Sequence, residues 1–365
     1  MSEWQTFCLK DLVKIFGGST PPTNNPKNYG NKIRWITAKD LSTLQGRYIK
    51  KGSRSISRLG FKSCSTFLLP KHAILFSVRA PIGYTAIISK RSCTDRGLMG
   101  LVPNKKIYFE FLYYLLKYHK DNISNMGVGT TFKGISKPAL GLFKVKIPPT
   151  YYEQQKIART LSILDQKIEN NHKINELLHN LAYKIYEYYF KYKPKNAKLE
   201  QIIIENPKSN IMVKNAQKTQ DKYPFFTSGD NILSYPKAII DGRNCFLNTG
   251  GNAGIKFYVG KASYSTDTWC ICANEFSDYL YLLLSSIKTH INQSFFQGTS
   301  LKHLQKNLLK KYPIYMPSAH EIKKFNQIII PLLTLISINT RTSKKLEQIR
   351  DFLLPLLLKQ QVKPK

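Results

Sequence analysis

Apolar residues recur every three or four positions over two long stretches of the chain, residues 153–192 and 320–360. The first stretch contains neither glycine nor proline. This spacing keeps one helical face apolar and suits packing against a second helix, so we predict an antiparallel pair of long helices. The apolar positions in the first stretch are Ile157, Leu161, Leu164, Ile168, Ile174, Leu178, Leu181 and Ile185.

Residues 1–151, which precede the first helix, alternate short β-rich runs with turn signals, as is typical of a mixed α+β domain. Strands are predicted at 33–37, 72–77 and 84–89, and a dense apolar helix at 108–118. The intervening stretch 17–32 is rich in Gly, Pro and Asn, which predicts a long surface loop.

Residues 193–319 repeat this order of elements. The apolar helix 108–118 has a counterpart at 279–287, and each block closes on a Gly-Thr turn. Pro148 follows Gly129 by 19 positions, and Pro317 follows Gly298 by 19. Several echoes in one order indicate an internal duplication of a whole unit, a lobe followed by a long helix.

The predicted fold class is therefore α+β, with two mixed α/β lobes joined by two long antiparallel helices. The predicted domains are a first lobe at 1–151, a helix at 152–192, a second lobe at 193–319 and a second helix at 320–365.

Charge separates the lobes from the helices. The chain carries 56 Lys and Arg against 22 Asp and Glu, a net of +34. Residues 1–151 hold +19 and residues 193–319 hold +8, whereas 152–192 hold only +1 and 320–360 hold +4. An excess of this size indicates a polyanionic partner, so nucleic acid suits the lobes and protein contacts suit the helices.

Several kinds of site are disfavoured by the sequence. The six Cys residues show no disulfide or zinc spacing, and acidic residues are too sparse for a two-metal nuclease. The stretch TGGNAGIKF, residues 249–257, lacks the Gly-Lys-Ser/Thr ending of a phosphate-binding loop, and no methyltransferase motif is present. Because none of these motifs is present, we expect that the chain is not itself an enzyme. No apolar run is long enough to cross a membrane, so a cytoplasmic protein is expected.

Two stretches carry a resemblance to a known family. These are GTTFKGISKPAL…KIPPTYYEQQKIARTL, residues 129–161, and its weaker repeat GTSLKHLQKNLL…YMPSAHEIKKF, residues 298–325. With the order lobe, helix, lobe, helix, they resemble the specificity subunit of type I restriction–modification systems. The second copy has Ile322 where the first has Gln154.

The resemblance implies that each lobe reads one half of a split target in double-stranded DNA. It also implies two methyltransferase subunits docked on the helices, and restriction subunits in the full complex. S-adenosylmethionine, Mg and ATP would then belong to those partners, whose complex would be an adenine methyltransferase and ATP-dependent endonuclease, and this chain would bind no cofactor. The alternatives from the residues alone are a stand-alone nucleic-acid-binding scaffold and an enzyme with an unrecognised site.

Candidate DNA contacts lie in turns that combine cations with hydroxyl or amide groups. For the first-lobe loop the alternative is an ordinary solvated loop, and for the Gly-Thr turns it is a helix cap. The aromatic run 183–192 could stack on bases, although packing is the favoured interpretation. The candidates are Lys27, Asn28, Tyr29, Lys32, Arg34, Arg79, Thr130, Thr131, Lys133, Thr249, Asn252, Lys256, Thr299, Ser300, Lys302 and His303.

Overall fold

A computed structural model describes residues 3–79, 81–129, 133–216 and 222–364. The chain divides into two compact units, unit 1 with residues 1–170 and 343–365, and unit 2 with residues 171–342. Each unit contains one lobe together with a segment of each long helix. The candidates Thr130 and Thr131 lie outside the described residues.

The described part of the first lobe contains ten strands and six short helices. The strands are β1 Gln5–Cys8, β2 Val13–Gly17, β3 Tyr29–Ile36, β4 Tyr48–Ile49, β5 Arg54–Ile56, β6 Ile74–Ser77, β7 Thr85–Ile88, β8 Cys93–Thr94, β9 Leu98–Pro103 and β10 Lys144–Ile147. The helices are α1 Leu9–Leu12, α2 Ala38–Ser42, α3 Arg58–Lys62, α4 Phe109–Tyr118, α5 Lys120–Asn125 and α6 Lys137–Leu142. A 3-10 turn covers Pro26–Asn28.

The second lobe has the corresponding elements. Its strands are β11 Ala197–Lys198, β12 Ile204–Glu205, β13 Tyr223–Phe226, β14 Ile232–Tyr235, β15 Arg243–Asn248, β16 Ile255–Val259, β17 Ser263–Tyr264, β18 Thr268–Cys272, β19 Phe296–Gln297, β20 His303–Leu304 and β21 Pro313–Ile314. Its helices are α8 Val213–Ala216, α9 Ser277–Ser286, α10 Lys288–Ser294 and α11 Lys306–Lys310. Two 3-10 turns cover Leu199–Gln201 and Asn274–Phe276.

Sheet order confirms the duplication. The first lobe has a five-stranded sheet, β2-β9-β6-β7-β4, and the second has a four-stranded sheet in the same order, β12-β18-β15-β16. Each lobe adds a three-stranded sheet, β5-β3-β8 or β14-β13-β17, that joins one antiparallel pair to one parallel pair. The α+β fold class predicted from the sequence is therefore confirmed.

The two long helices are α7, Tyr151–Tyr186, and α12, Ala319–Leu358, with a π-helical turn at Glu187–Lys191 after α7. Within unit 2 they run antiparallel, since Asn175 bonds Asn339 at 2.9 Å and Phe190 packs on Phe325. No described helix carries an apolar stretch sufficient to span a membrane.

The predicted apolar face of α7 is confirmed only in part in its second half, where Leu178 and Ile185 pack against the second-lobe core and Ile174 and Leu181 are exposed. Ile174 is 43% exposed and Leu181 is 47% exposed, whereas Ala182 and Tyr186 are buried in the second-lobe core. The buried face of the helix is shifted by about one residue from the predicted face, because the second lobe, rather than α12 alone, covers this part of the helix. Tyr186 and Phe190 pack there as well, which confirms packing as the role of part of the aromatic run.

The stretches that carry the resemblance begin both long helices with the same device. Thr150 and Ser318 each accept a hydrogen bond from the backbone N–H of a glutamate three residues on, and that glutamate bonds back to the hydroxyl. In both copies the hydroxyl satisfies a backbone donor that the helix leaves unpaired. In the second copy Glu321 also accepts from the Ser318 backbone N–H at 2.9 Å, which completes a capping box. The glutamate that follows Pro149 or Pro317 by four positions thus has a structural purpose in both copies.

The residue after that glutamate differs between copies for a visible reason. Gln154 is buried, accepts from the Tyr108 backbone N–H at 2.8 Å and donates to the Lys106 carbonyl at 3.0 Å, so it fastens α7 to the first lobe. In unit 2, Asn326, one turn further along α12, donates to the Glu275 carbonyl at 2.8 Å. Ile322 can therefore be apolar because Asn326 supplies the polar contact to the lobe.

Candidate nucleic-acid interface

Two turns of the second lobe, far apart in sequence, lie side by side. Gly250 and His303 form a β-bridge. The Gly251 N–H donates to the Lys302 carbonyl at 2.9 Å, and the Leu304 N–H donates to the Thr249 carbonyl at 3.0 Å. We call residues 249–252 and 298–303 together the second double turn. It joins the predicted Gly-rich turn to the predicted Gly-Thr turn in one surface.

The first lobe brings its own two turns together in the same way. Arg79 and Gly134 form a β-bridge, and the Ile135 N–H donates to the Val78 carbonyl at 3.0 Å. Val128 and Gly134 exchange two backbone hydrogen bonds of 3.0 Å. We call residues 78–79, 127–129 and 133–135 the first double turn. Each lobe thus presents one double turn, formed after equivalent strands of equivalent sheets.

A polar side chain at the end of each strand supports the turn that follows it. Ser77, which pairs with Leu98, donates to the Pro81 carbonyl at 2.8 Å and accepts from the Tyr84 N–H at 2.8 Å. Asn248, at the same place in the second lobe, donates to the Asn252 carbonyl at 3.1 Å. Neither residue is among the candidates predicted from the sequence. The available signal was a polar residue closing a β-rich run directly before the turn in both copies.

Lys256 supports the second double turn from below. Its ammonium donates to the Thr227 carbonyl at 2.9 Å and to Asn248 Oδ1 at 3.0 Å. Burial lowers the pKa of this lysine, because desolvation penalises its charged form. The charge of Lys256 is therefore used inside the lobe, where it fixes Asn248 and hence the turn.

Most other candidates in the double turns are exposed. Thr249 is the exception, since it is half-buried and its hydroxyl donates to the Asp267 carbonyl at 2.7 Å. Cations and short polar side chains on one surface are what phosphate binding and base reading require. The exposed candidates are Arg79, Lys133, Asn252, Thr299, Ser300, Lys302 and His303.

The described Gly-Thr turn residues do not cap a helix. Helix α11 begins at Lys306 with Gln305 at its N-cap, so Thr299 and Ser300 lie well before it. In the first lobe the cap of α6 is Ser136, whose hydroxyl accepts from the Ala139 N–H at 3.3 Å. The helix-cap alternative is therefore wrong for Thr299 and Ser300.

The first-lobe loop divides into structural and exposed residues. Asn28 is 2% exposed and donates to the Pro22 carbonyl at 3.0 Å, and the Tyr29 hydroxyl donates to the Pro21 carbonyl at 3.0 Å. Arg54 lies over the Tyr29 ring at 4.0 Å. These contacts hold the loop on β3, so Asn28 is buried away from any DNA surface. The exposed candidates in this loop are Lys27, Lys32 and Arg34.

The Gly-rich stretch 249–257 differs from a phosphate-binding loop in the elements that it connects. Residues 249–254 connect β15 to β16, two antiparallel strands, whereas a phosphate-binding loop leads into a helix. Among the described residues, no group of three or more His, Cys, Asp or Glu side chains could hold a metal ion. The double turns present exposed cations and short polar side chains to a ligand, and this arrangement suits binding.

Comparisons with known proteins agree with this architecture. The family described as type I restriction modification DNA specificity domain matches residues 1–180 and again residues 195–348. The MjaIX specificity subunit of Methanocaldococcus jannaschii is 28% identical over 403 residues, covering 98% of this chain and 93% of that protein. The HindI specificity subunit of Haemophilus influenzae is 26% identical over 177 residues, covering 46% of this chain and 37% of that protein.

Among solved structures, the type I restriction–modification S subunit of Mycoplasma genitalium superposes with a TM-score of 0.64 at 18% identity, covering 98% of this chain and 96% of that one. This likeness supports the fold, and the family match extends over nearly the whole chain in two copies. The chain therefore belongs to the type I restriction–modification DNA specificity family.

Proposed function

We propose that this chain is the DNA-sequence-reading subunit of a type I restriction–modification complex in the cytoplasm. Each lobe reads one half of a split target in double-stranded DNA through its double turn. The observation that carries the proposal is the repetition of one basic double turn, with one kind of support, in both lobes. A split target needs two recognition domains that share a fold but recognise different base sequences. A duplicated lobe whose two copies have diverged in sequence meets this need.

The proposed division of labour within a double turn follows from side-chain chemistry. Lysine and arginine contact phosphates, which gives affinity and orientation without reading sequence. Asn252 and His303 carry the donors and acceptors that can distinguish base edges in a groove. Because Asn252 and His303 have no counterparts of the same type in the first double turn, the two half-sites are expected to differ in sequence.

The chemistry itself is assigned to partner subunits. We propose that two methyltransferase subunits dock on α7 and α12, and that restriction subunits join the full complex. These partners would bring S-adenosylmethionine, Mg and ATP, and the complex would methylate adenine and cleave unmodified DNA. Exposed apolar side chains on both long helices, among them Leu177 and Phe352, support a protein-covered surface there.

The test is a map of modified adenines in the native genome by long-read sequencing. Deleting the gene should remove one gapped, two-part methylated motif, and restoring the gene should bring the motif back. A third strain carries the chain with residues 249–252 exchanged for the equivalent turn of another family member. This strain should change the letters of one half-site and leave the other half-site unchanged.

Two results would contradict the proposal. If methylation persists unchanged in the deletion strain while its methyltransferase is expressed, the chain does not direct that enzyme. If the turn exchange alters both half-sites or neither, the double turn is not the reader. A chain that binds nucleic acid but changes no methylated motif would support a stand-alone scaffold instead.

A further inference from the structure

The first lobe contains an open groove of about 680 Å³ between β2 and α6. Lys10, Lys14 and Lys137 stand along its rim, and Pro138 and Leu142, both exposed, form its apolar floor above the buried Val13 and Ile15. No carboxylate is among the described residues that line it. The groove is formed within the first lobe, at residues that belong to neither the first double turn nor the first-lobe loop.

The second lobe shows what the same place looks like when it is filled. The Leu9 N–H donates to the Phe143 carbonyl, and the Leu199 N–H donates to the Tyr312 carbonyl, which aligns the two lobes residue by residue. Strand register extends the alignment, since Ile15 pairs with Leu101 as Glu205 pairs with Ile271. Glu205 and Lys310 thus occupy the places of Ile15 and Gly141.

In the second lobe these residues close the groove. Glu205 forms an ion pair with Lys310 and accepts from the Trp269 indole N–H at 2.7 Å. Lys306 lies 5.2 Å from the Trp269 ring centroid. A carboxylate and a large aromatic side chain therefore fill the space between the strand and the helix. Both are supplied by the lobe itself.

The first lobe keeps a cation and lacks the groups that would neutralise and cover it. Lys137 stands at the place of Lys306, whereas Met99 replaces Trp269 and Gly141 replaces Lys310. The groove is left apolar at the bottom and positively charged at the rim. Such a site matches a carboxylate next to a large apolar side chain, the same pair that fills the second lobe.

We propose that this groove is a docking site for an acidic segment of a partner protein that carries a large apolar side chain. Its carboxylates pair with the rim lysines, and its apolar side chain covers Pro138 and Leu142. Nucleic acid is disfavoured as the occupant because a phosphate backbone leaves an apolar floor uncovered. In the described part of the second lobe the equivalent place is filled, so the groove gives the partner an asymmetric anchor on a duplicated protein.

Gly141 is the residue that keeps the groove open. A Cβ built on Gly141 would lie 3.5 Å from Lys10 Cβ and 3.8 Å from Ile15 Cδ1, which is ordinary contact. A larger side chain at this position can therefore project into the groove without straining α6. Gly141→Leu is accordingly a blocking variant that keeps the charge and favours the helix.

The experiment titrates the full chain with a fluorescent peptide, acetyl-Glu-Asp-Leu-Phe-Glu-Asp-amide, in moderate salt. Three comparison ligands separate the contributions of charge and shape. One peptide has Ala-Ala in place of Leu-Phe, one has Lys and Arg in place of the acids, and the third ligand is a six-nucleotide oligothymidine. Two variants are measured with them, Gly141→Leu and the triple variant Lys10→Glu, Lys14→Glu, Lys137→Glu.

We expect the acidic Leu-Phe peptide to bind best, and its affinity to fall about tenfold or more when Leu-Phe is replaced or when Gly141→Leu blocks the groove. The triple charge reversal should abolish this binding and confer binding of the basic peptide instead. The control Lys50→Glu, Lys51→Glu, Lys62→Glu makes the same charge change at other exposed positions of the first lobe and should leave peptide affinity within about twofold.

Three outcomes would overturn the proposal. Equal losses in the control and in the rim variant would show unspecific attraction of an acidic peptide to a basic protein. Equal affinity for the Ala-Ala peptide would show that the apolar floor is not used. Competition by the oligothymidine with higher affinity than the peptide would assign the groove to nucleic acid.

Discussion

Arg350 of α12 and Asp165 of α7 form an ion pair inside unit 1, with Arg350 Nη1 at 2.6 Å from Asp165 Oδ1. The other oxygen of the same carboxylate accepts from the Tyr114 hydroxyl of α4 at 2.6 Å. One buried carboxylate therefore ties both long helices to the first lobe. The exposed Asp351 contacts the same guanidinium at 2.9 Å and provides a natural comparison.

We predict that Asp165→Asn destabilises unit 1 by about 3 kcal/mol, because a largely buried guanidinium loses its buried anionic partner and keeps only the exposed Asp351, while a buried tyrosine hydroxyl loses its carboxylate acceptor. Asp351→Asn, which removes the exposed contact to the same arginine, should cost less than about 1 kcal/mol. Urea unfolding would be followed by tryptophan fluorescence in a Trp269→Phe background, where Trp4 and Trp35 in unit 1 remain. If both variants lowered the free energy of unfolding equally, burial of the Asp165–Arg350 pair would contribute nothing to stability.

The capping box of α12 leads to a prediction about pH. The Ser318 backbone N–H and then the Tyr315 hydroxyl, by hydrogen bonding to the carboxylate, lower the pKa of Glu321 to about 2. A carboxylate with a depressed folded pKa stabilises the fold above its unfolded pKa, and this contribution is lost as pH falls toward the folded value. The stabilisation should therefore be present from about pH 5 upward and largely lost by about pH 2.

We expect Glu321→Gln to cost about 1 kcal/mol at pH 7, a value reduced by solvent screening, and to cost much less near pH 2. Thermal unfolding of the wild type and the variant at several pH values would measure this difference. Glu200→Gln serves as the control, because Glu200 is exposed and its ion pair with Lys198 is long, at 4.0 Å, and therefore weak. A difference between wild type and Glu321→Gln that stays constant from pH 7 to pH 2 would contradict the capping role.

Two lysines at the second double turn are expected to act differently. Lys302 would contact a phosphate, whereas Lys256 holds the turn in place. Lys302→Gln keeps the backbone carbonyl that accepts from Gly251 but removes an exposed cation. DNA binding should weaken steeply with salt, and this variant should reduce the slope of log affinity against log salt by about 0.9. Lys256→Met should lower the affinity at every salt concentration without changing the slope, because its charge is used to hold Asn248.

The measurement is a salt titration of the assembled complex on its mapped target. Lys195→Gln removes an exposed lysine outside the double turns and should alter neither affinity nor slope. If Lys256→Met reduced the slope as Lys302→Gln does, Lys256 would be a phosphate contact, and the positioning role would be wrong.

Three strands of the first lobe, the apolar helices and the duplication could be predicted from the sequence, because period, turn chemistry and repeated spacing are local signals. Two positions of the α7 apolar face, Ile174 and Leu181, were predicted wrongly. Residues one position apart lie on neighbouring faces of a helix, and only packing against the lobe decides which of these faces is buried. The β-branched and leucine side chains looked more apolar than Tyr186, which the second-lobe core buries.

The site shows the same limit. The two Gly-rich turns of each lobe were selected separately, but their pairing through Gly250 and His303 depends on the fold. Asn28 and Lys256 looked like DNA contacts by residue type, yet both are used to hold their own loops. Residue chemistry in sequence identifies what a group can do, and burial decides whether the group is available to a ligand.

The long helices lead to the last prediction, which concerns the gap between half-sites. Removing seven residues from each of α7 and α12 shortens both by two turns, about 10.5 Å, and keeps the remaining side chains on their original faces. Methylation mapping should then show a gap shorter by about three base pairs, at 3.4 Å per base pair, with both half-site sequences unchanged. The exchange of residues 249–252 should do the reverse, altering one half-site and preserving the gap. If the shortened helices changed the half-site letters, the helices would take part in reading, and the assignment of sequence recognition to the lobes would be wrong.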